Sequence, residues 1–124
     1  RFFIGGNMKF KITVLGREWE VLVIKPEEDE RLNDCDGFTD WTALQIVIGD
    51  RREESTLEYP LGYLFKVMRH EIVHAFMFES GLAENWEHEN GQDEMLVDWI
   101  AIQIHKIEEV CNDAESKLIK LICG

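Results

Sequence analysis

The sequence predicts an α+β fold in which a small N-terminal sheet packs on two long helices. Segments 9–15 and 18–24 are rich in β-branched and aromatic residues, and Gly16-Arg17 joins them as a two-residue hairpin turn. Segment 42–48 is apolar and predicts a third strand. Two later segments have apolar residues at helical spacing instead. Because about three strands precede the helices, we expect an antiparallel or mixed sheet on one side of them.

The first helix is predicted to begin at Pro60 and to end just before Gly81. Proline suits a first helical position, where its missing N–H has no partner, and glycine suits the left-handed residue that ends a helix. The apolar residues that recur at helical spacing are Leu61, Leu64, Phe65, Met68, Ile72, Ala75 and Phe76. At 100° per residue, His70 and His74 lie opposite this stripe. We therefore expect the two histidines to line an internal cleft.

The segment His70-Glu71-Ile72-Val73-His74 places two imidazoles four residues apart, with a carboxylate beside the first. On a helix, positions i and i+4 share a face, and two histidines there can hold one tetrahedral zinc ion at about 2.0–2.1 Å each. Glu71 would lie beside the metal, where it can take a proton from an activated water. The pattern predicts a zinc site with an adjacent general base.

A second helical run contains a candidate third ligand. Glu94 and Asp98 are at positions i and i+4, and Glu94 follows His74 by 20 residues. This is enough chain for the first helix to end and for a second helix to return antiparallel. Glu94 would complete a His₂Glu set around one Zn²⁺ with an open fourth position. Asp98 is placed to accept the free ring N–H of a ligating histidine. The same ligand set also suits iron, cobalt or manganese.

Three other side chains have weaker claims on this site. His88 lies in the connection between the helices and is a candidate transition-state donor, although the sequence favours a histidine on a surface loop. His105 follows Glu94 by eleven residues, which is about 16 Å along a helix and too far for the same metal. Tyr63 shares the face of His70 two turns earlier, and we interpret it as a packing residue, with a place in the cleft wall as the alternative.

An HExxH motif followed about 20 residues later by ExxxD resembles the gluzincin metallopeptidases. Over residues 66–102 the chain is most similar to their compact intracellular ImmA/IrrE-like group, many members of which are carried by phages and mobile elements. Gly37–Asp40 and 46–48 resemble the strand region ahead of the active helix in that group. The resemblance implies a cytoplasmic zinc endopeptidase that hydrolyses a peptide bond in a protein substrate, such as a regulatory or repressor protein.

Under this interpretation Glu71 takes the proton from the attacking water and passes it to the leaving amine, while the metal polarises the scissile carbonyl. The donor that stabilises the oxyanion is not identified. The third strand would form the edge of the cleft, where an extended peptide adds through main-chain hydrogen bonds. Two alternatives stay open. One is a non-catalytic protein-binding module, and the other is a structural zinc domain with His88 or Asp98 as fourth ligand.

The charge composition of the chain indicates which classes of binding partner to expect. The 124 residues include 25 acidic and 13 basic side chains, a net charge of −12. Non-specific binding of nucleic acid and docking on anionic membranes are therefore not expected, and no apolar run is long enough to predict a membrane helix. The three cysteines lack metal-ligand spacing, which is typical of reduced thiols in a cytoplasmic protein. We expect a protein or peptide substrate, and the oligomeric state stays open.

One domain is predicted over residues 8–124, which is long enough to bury a core. Residues 1–7 are interpreted as an upstream or non-native extension, with Met8 as the candidate start. The apolar stretch Phe2-Phe3-Ile4 is too short for the core of a signal peptide.

Overall fold

A computed structural model of the chain describes residues 7–85 and 94–124, apart from the side chains of 84–85, 94–95, 97–98 and 101. Its strands and helices are β1 (Met8–Val14), β2 (Arg17–Ile24), β3 (Gly37–Asp40), β4 (Gln45–Gly49), α1 (Pro60–Glu79), α2 (Leu82–Asn85) and α3 (Glu94–Cys123). The predicted α+β class is confirmed. Six residues of the predicted N-terminal extension lie outside the described part.

The strands form one mixed sheet in the order β1-β2-β4-β3. Strands β1 and β2 are antiparallel, with Met8 opposite Val23. Strand β4 lies parallel to β2 and antiparallel to β3. The hairpin turn between β1 and β2 is formed by Leu15 and Gly16, whose φ angles are 48° and 87°. Positive φ at both positions is the pattern of a type I′ turn, and the turn begins one residue earlier than predicted.

The expectation of about three strands is wrong, because the sheet has a fourth strand, β3, which the apolar periodicity does not identify although the resemblance includes Gly37–Asp40 in a strand region. Strand β3 has only four residues, and all of them are partly buried. Such a short segment does not show the alternation of apolar and polar residues by which a strand is recognised in a sequence. The predicted strand over 42–48 is divided in the structure. Its first residues form a turn in which Asp40 Oδ1 accepts hydrogen bonds from the backbone N–H groups of Thr42 and Ala43.

Helix α1 packs on the sheet with the apolar stripe that the sequence predicts. Six stripe residues are buried and Leu61 packs against them. The helix begins at Pro60 and ends before Gly81, whose φ is 81°, as expected for a glycine that ends a helix. The sheet contributes Ile12, Val14, Trp19, Val21, Val23, Ile46 and Ile48 to the same core.

Helix α3 is one continuous helix that runs antiparallel to α1 and closes the core. Trp99 Nε1 donates to Ser80 Oγ at 3.0 Å beyond the end of α1, and Arg69 Nη1 donates to Glu115 Oε2 at 3.2 Å further along. The side chains of Cys111, Ala114 and Leu118 are buried against the sheet and α1. All three cysteines are free thiols. No helix in the described ranges is both long and apolar enough to cross a membrane.

A buried hydrogen bond connects the end of α1 to the sheet. Trp19 is 1% exposed, and its indole Nε1 donates to Glu79 Oε2 at 2.7 Å. The Glu79 side chain is 8% exposed, and Arg17 Nη1 lies 3.5 Å from its other oxygen. A buried indole N–H without an acceptor costs about 1–3 kcal/mol. This contact therefore helps to set the position of α1 relative to β2.

We expect Glu79→Ala to lower the free energy of unfolding by about 1–3 kcal/mol, because the Trp19 N–H loses its acceptor. Denaturant unfolding measures the change. Combined with Trp19→Phe in a double-mutant cycle, the two substitutions should couple by about 1 kcal/mol. Glu18→Ala, on the exposed face of the same strand, is the matched control and should change stability by less than about 0.5 kcal/mol. Strictly additive effects of the two substitutions would contradict the contact.

Asp50 anchors the turn that leads from β4 toward α1. Its side chain is buried, and its carboxylate accepts two hydrogen bonds of 2.9 Å from the Arg52 guanidinium. Burial alone would raise the pKa of Asp50, but the hydrogen bonds from Arg52 and the nearby charge of Lys25 outweigh it. The pKa of this carboxyl therefore lies below its ordinary value. Asp50 is thus ionised where it holds the turn.

Because the pKa of Asp50 is lowered in the folded state, its ionised form stabilises the fold above the ordinary aspartate pKa of about 3.9. This stabilisation is lost as the pH falls below about 3.9 toward the lower pKa that Asp50 has in the folded protein. We expect Asp50→Asn to destabilise the protein by about 1–3 kcal/mol at pH 7, and by progressively less as the pH falls below about 4. Denaturant midpoints measured from pH 7 to pH 3 test this, with the exposed Asp34→Asn as control. A difference that is independent of pH would contradict it.

Candidate metal centre

The rings of His70 and His74 converge on the side of α1 that faces away from the core. Their Nε2 atoms lie 3.2 Å apart, and their ring centroids lie 4.9 Å apart with 68° between the planes. Two nitrogens bound tetrahedrally to one ion at about 2.0–2.1 Å lie about 3.3 Å apart. Two neutral imidazoles could also share one N–H···N hydrogen bond at this separation. In both cases the two Nε2 atoms lie at a separation that one tetrahedral metal ion can span.

The expected internal cleft is an open one, because both histidines are exposed. The apolar stripe of α1 packs on the sheet, so the opposite face of the helix turns toward solvent. Within the described ranges, the segment that leads into β3 shares a cavity wall with His70, through Cys35, Asp36 and Gly37. An open position of this kind gives a large substrate access to the histidine nitrogens.

Glu71 is buried against β3 and is not a solvated helix charge. Its side chain is 6% exposed, and Thr39 Oγ1 donates to its Oε1 at 2.8 Å. The close approach of β3 depends on Gly37. A Cβ atom there would lie 3.0 Å from the Val47 carbonyl oxygen and 3.2 Å from Val67 Cγ1. A glycine in the edge strand therefore lets Thr39 reach and orient the carboxylate beside the two histidines.

A cavity of about 270 Å³ opens between the start of β3 and α1. Asp36 and Gly37 line one side, and Tyr63, Val67, His70 and Glu71 line the other. Tyr63 is 42% exposed, and its hydroxyl donates to Asp36 Oδ2. This hydrogen bond and the charge of Asp36 raise the pKa of Tyr63. Its interpretation as a packing residue is wrong, because Tyr63 forms part of the cleft wall.

A second cavity, of about 380 Å³, shares Asp36, Tyr63 and Val67 with the first and continues toward the start of α1. Arg51 forms part of its wall. The Arg51 guanidinium donates to the carbonyl oxygens of residues 32 and 35, and its Nε lies 3.4 Å from Asp36 Oδ1. Asp36 therefore links Tyr63 to Arg51 where the two cavities meet. Together the cavities form one groove beside the histidines.

An aromatic pair lies toward the opposite end of α1. Phe78 is four residues after His74 on α1, and Trp41 directly follows β3. Their ring centroids are 6.0 Å apart with 29° between the planes, and Trp41 is 52% exposed. Sequence reasoning did not identify Trp41 as a site residue. A tryptophan in a polar turn next to Asp40 is an indication of a functional role in the sequence. Its contact with Phe78, however, depends on tertiary packing.

The other predicted site residues fall partly outside the described structure. Glu94 and Asp98 lie on helix α3, as predicted, but their side chains are not among those described. His88 lies in 86–93, which the structure does not describe. Within the described ranges, no three His, Cys, Asp or Glu side chains are grouped so that they could hold a metal. The described part therefore provides two nitrogen donors, and the third ligand stays a prediction on α3.

A scan against protein-family models, a search of curated proteins and a search of solved structures each match nothing. The chemistry of this chain is therefore inferred from its own residues and their geometry.

We expect the chain to bind one equivalent of Zn²⁺, and His70→Ala or His74→Ala to weaken binding roughly a hundredfold or more, because each removes one nitrogen ligand. Competition with a chromophoric chelator measures the affinity, and the spectrum of the Co²⁺-substituted protein reports the coordination geometry. His105→Ala, on exposed helix α3, is the matched control and should bind zinc as wild type does. Wild-type zinc affinity in both ligand variants would rule out the site.

Proposed function

We propose that this protein is a zinc-dependent metallopeptidase of the gluzincin type that hydrolyses a peptide bond in a protein substrate. The observation that carries the proposal is the convergence of His70 and His74, whose Nε2 atoms lie 3.2 Å apart beside the buried Glu71. Two imidazole nitrogens with an adjacent carboxylate fit the donor chemistry of zinc. Glu94 is the proposed third ligand, and Asp98 is the proposed acceptor for a ligand-ring N–H.

Zinc held by His70, His74 and Glu94 would polarise the scissile carbonyl and acidify the attacking water. Glu71 is the proposed general base. It takes the proton that the water loses as its oxygen bonds to the carbonyl carbon, and passes that proton to the amine nitrogen as the C–N bond breaks. Thr39 donates to Glu71 Oε1, so Oε2 is the oxygen that is left to accept this proton.

Strand β3 is the proposed docking edge for the substrate. Among the described residues it pairs with β4 on one side only, and it is the last strand of the sheet there. An extended peptide can add to such an edge through main-chain hydrogen bonds while its side chains enter adjacent pockets. The cavity next to Tyr63, with Leu57, Pro60 and Leu64 in its wall, is available for one of these side chains. A regulatory protein in the cytoplasm is the proposed substrate class, by resemblance to the ImmA/IrrE-like group.

A non-catalytic module that binds a protein through the same groove is the second candidate function. The exposed side chains of Trp41 and Leu57, at 52% and 54%, favour it, because large apolar groups at a surface are typical of contact sites. In that case Glu71 would matter only for packing against β3, and removing its charge would leave partner binding unchanged.

We expect Glu71→Gln to retain zinc and to lower peptide cleavage by about 10²- to 10⁴-fold, because the amide cannot accept the proton of the attacking water. Zinc-loaded wild type and variant are incubated with a peptide library, and products are identified by mass spectrometry. Glu58→Gln, at an exposed position just before α1, is the matched control and should cleave as wild type does. Undiminished cleavage by Glu71→Gln would eliminate the general base. Unaltered partner binding with no cleavage in either protein would favour the binding module.

A further inference from the structure

Trp41 presents a partly exposed aromatic ring directly after β3, outside the lining of the two cavities. One side of its indole stacks on Phe78, which lies one helical turn after His74. Trp41 is nevertheless 52% exposed, so the other side of the ring is accessible. The stacking holds the indole in place before any partner arrives. A large side chain that is both fixed and exposed is suited to contact a substrate that lies along β3.

The charge of the chain determines which side chains such a face attracts. The net charge is −12, so the field of the protein draws cationic segments and repels anionic ones. Three arginines near β3 and the start of α1 offset little of this charge, because each is paired with an aspartate, while Lys66 adds one positive charge to the wall of the cavity beside His70. Arg31 lies 2.9 Å from Asp29, Arg51 lies 3.4 Å from Asp36 and Arg52 lies 2.9 Å from Asp50.

Strand β3 already holds one guanidinium over an aromatic ring. The Cζ atom of Arg31 lies 4.2 Å from the ring centroid of Phe38, three residues before Trp41. Within the described ranges, no cation of the chain lies over Trp41. Tryptophan has the strongest attraction for a cation among the aromatic side chains. The ring best suited to a cation is therefore the one that is left open to a partner.

We propose that the open face of Trp41 binds the arginine or lysine side chain of a substrate, and that Trp41 thereby selects a basic residue near the cleaved bond. This inference rests on the proposed peptidase function. A cation over an exposed aromatic ring contributes a modest preference, which corresponds to about three- to fivefold in kcat/KM. The preference belongs to the contact itself, so it persists when salt screens the field of the whole protein.

The test compares peptides that differ at one side chain. The zinc-loaded chain is given an extended Ala-Gly peptide in which arginine, citrulline or norleucine is scanned along the positions. Citrulline keeps the planar shape of arginine without its charge. We expect wild type to cleave the best arginine peptide about three- to fivefold faster than its citrulline counterpart, at both 0.15 M and about 0.5 M salt.

Substitutions of Trp41 test whether its indole causes the preference for arginine over citrulline. In Trp41→Ala the arginine-to-citrulline ratio should fall to about one at high salt, and Trp41→Phe should restore part of it. Tyr59→Ala, which removes a 65% exposed aromatic side chain at the start of α1, the opposite end of that helix from Phe78, is the matched control. Its ratio should equal that of wild type.

Equal rates for arginine and citrulline, a ratio that Trp41→Ala leaves unchanged, or a preference for norleucine over arginine would each overturn the inference. If no peptide is cut, the same comparison is made by fluorescence anisotropy with labelled arginine and citrulline peptides. An arginine preference in binding that Trp41→Ala abolishes would then support the inference while removing the peptidase function. Absence of that binding preference would overturn the inference as well.

Discussion

The packing of the apolar stripe of α1 against the sheet is the constraint on which the site depends. Ile72 and Phe76 are fully buried, and they set the rotation of the helix about its axis. Since each residue turns the helix by 100°, this rotation directs His70 and His74 together toward solvent. A rotation by one position would separate the two nitrogens from the cleft. The hydrophobic core therefore orients two histidines that lie on the opposite face of the helix.

Strand β3 positions a carboxylate, that of Glu71, beside the two oriented histidines. The missing side chain of Gly37 lets the strand approach α1, and Thr39 then donates to Glu71. Burying a carboxylate without a partner is unfavourable, so the hydroxyl of Thr39 is what makes this position acceptable for Glu71. The same strand ends the sheet, which places an open hydrogen-bonding edge beside the carboxylate. Catalytic and docking roles are thus proposed for one short strand.

The surface on the two sides of the histidines differs in chemistry. Near the start of α1, Asp36 accepts a hydrogen bond from the Tyr63 hydroxyl and forms an ion pair with Arg51. Toward the end of α1, Trp41 stacks on Phe78 and exposes an aromatic face. A peptide bound along β3, as proposed, would therefore meet a polar cluster on one side of the histidines and an aromatic ring on the other. This asymmetry would favour one direction of the bound peptide.

The sequence by itself determined the features that depend on local spacing. The hairpin, the bounds of α1, its buried stripe and the shared face of His70 and His74 all follow from patterns within about 20 residues. Only the tertiary structure decided the fourth strand, the burial of Glu71 and the pairing of Trp41 with Phe78. Thr39 and Glu71 are 32 residues apart in the chain, and no periodicity spans that distance. Such contacts form because packing brings distant segments together, and a single sequence carries no pattern for them.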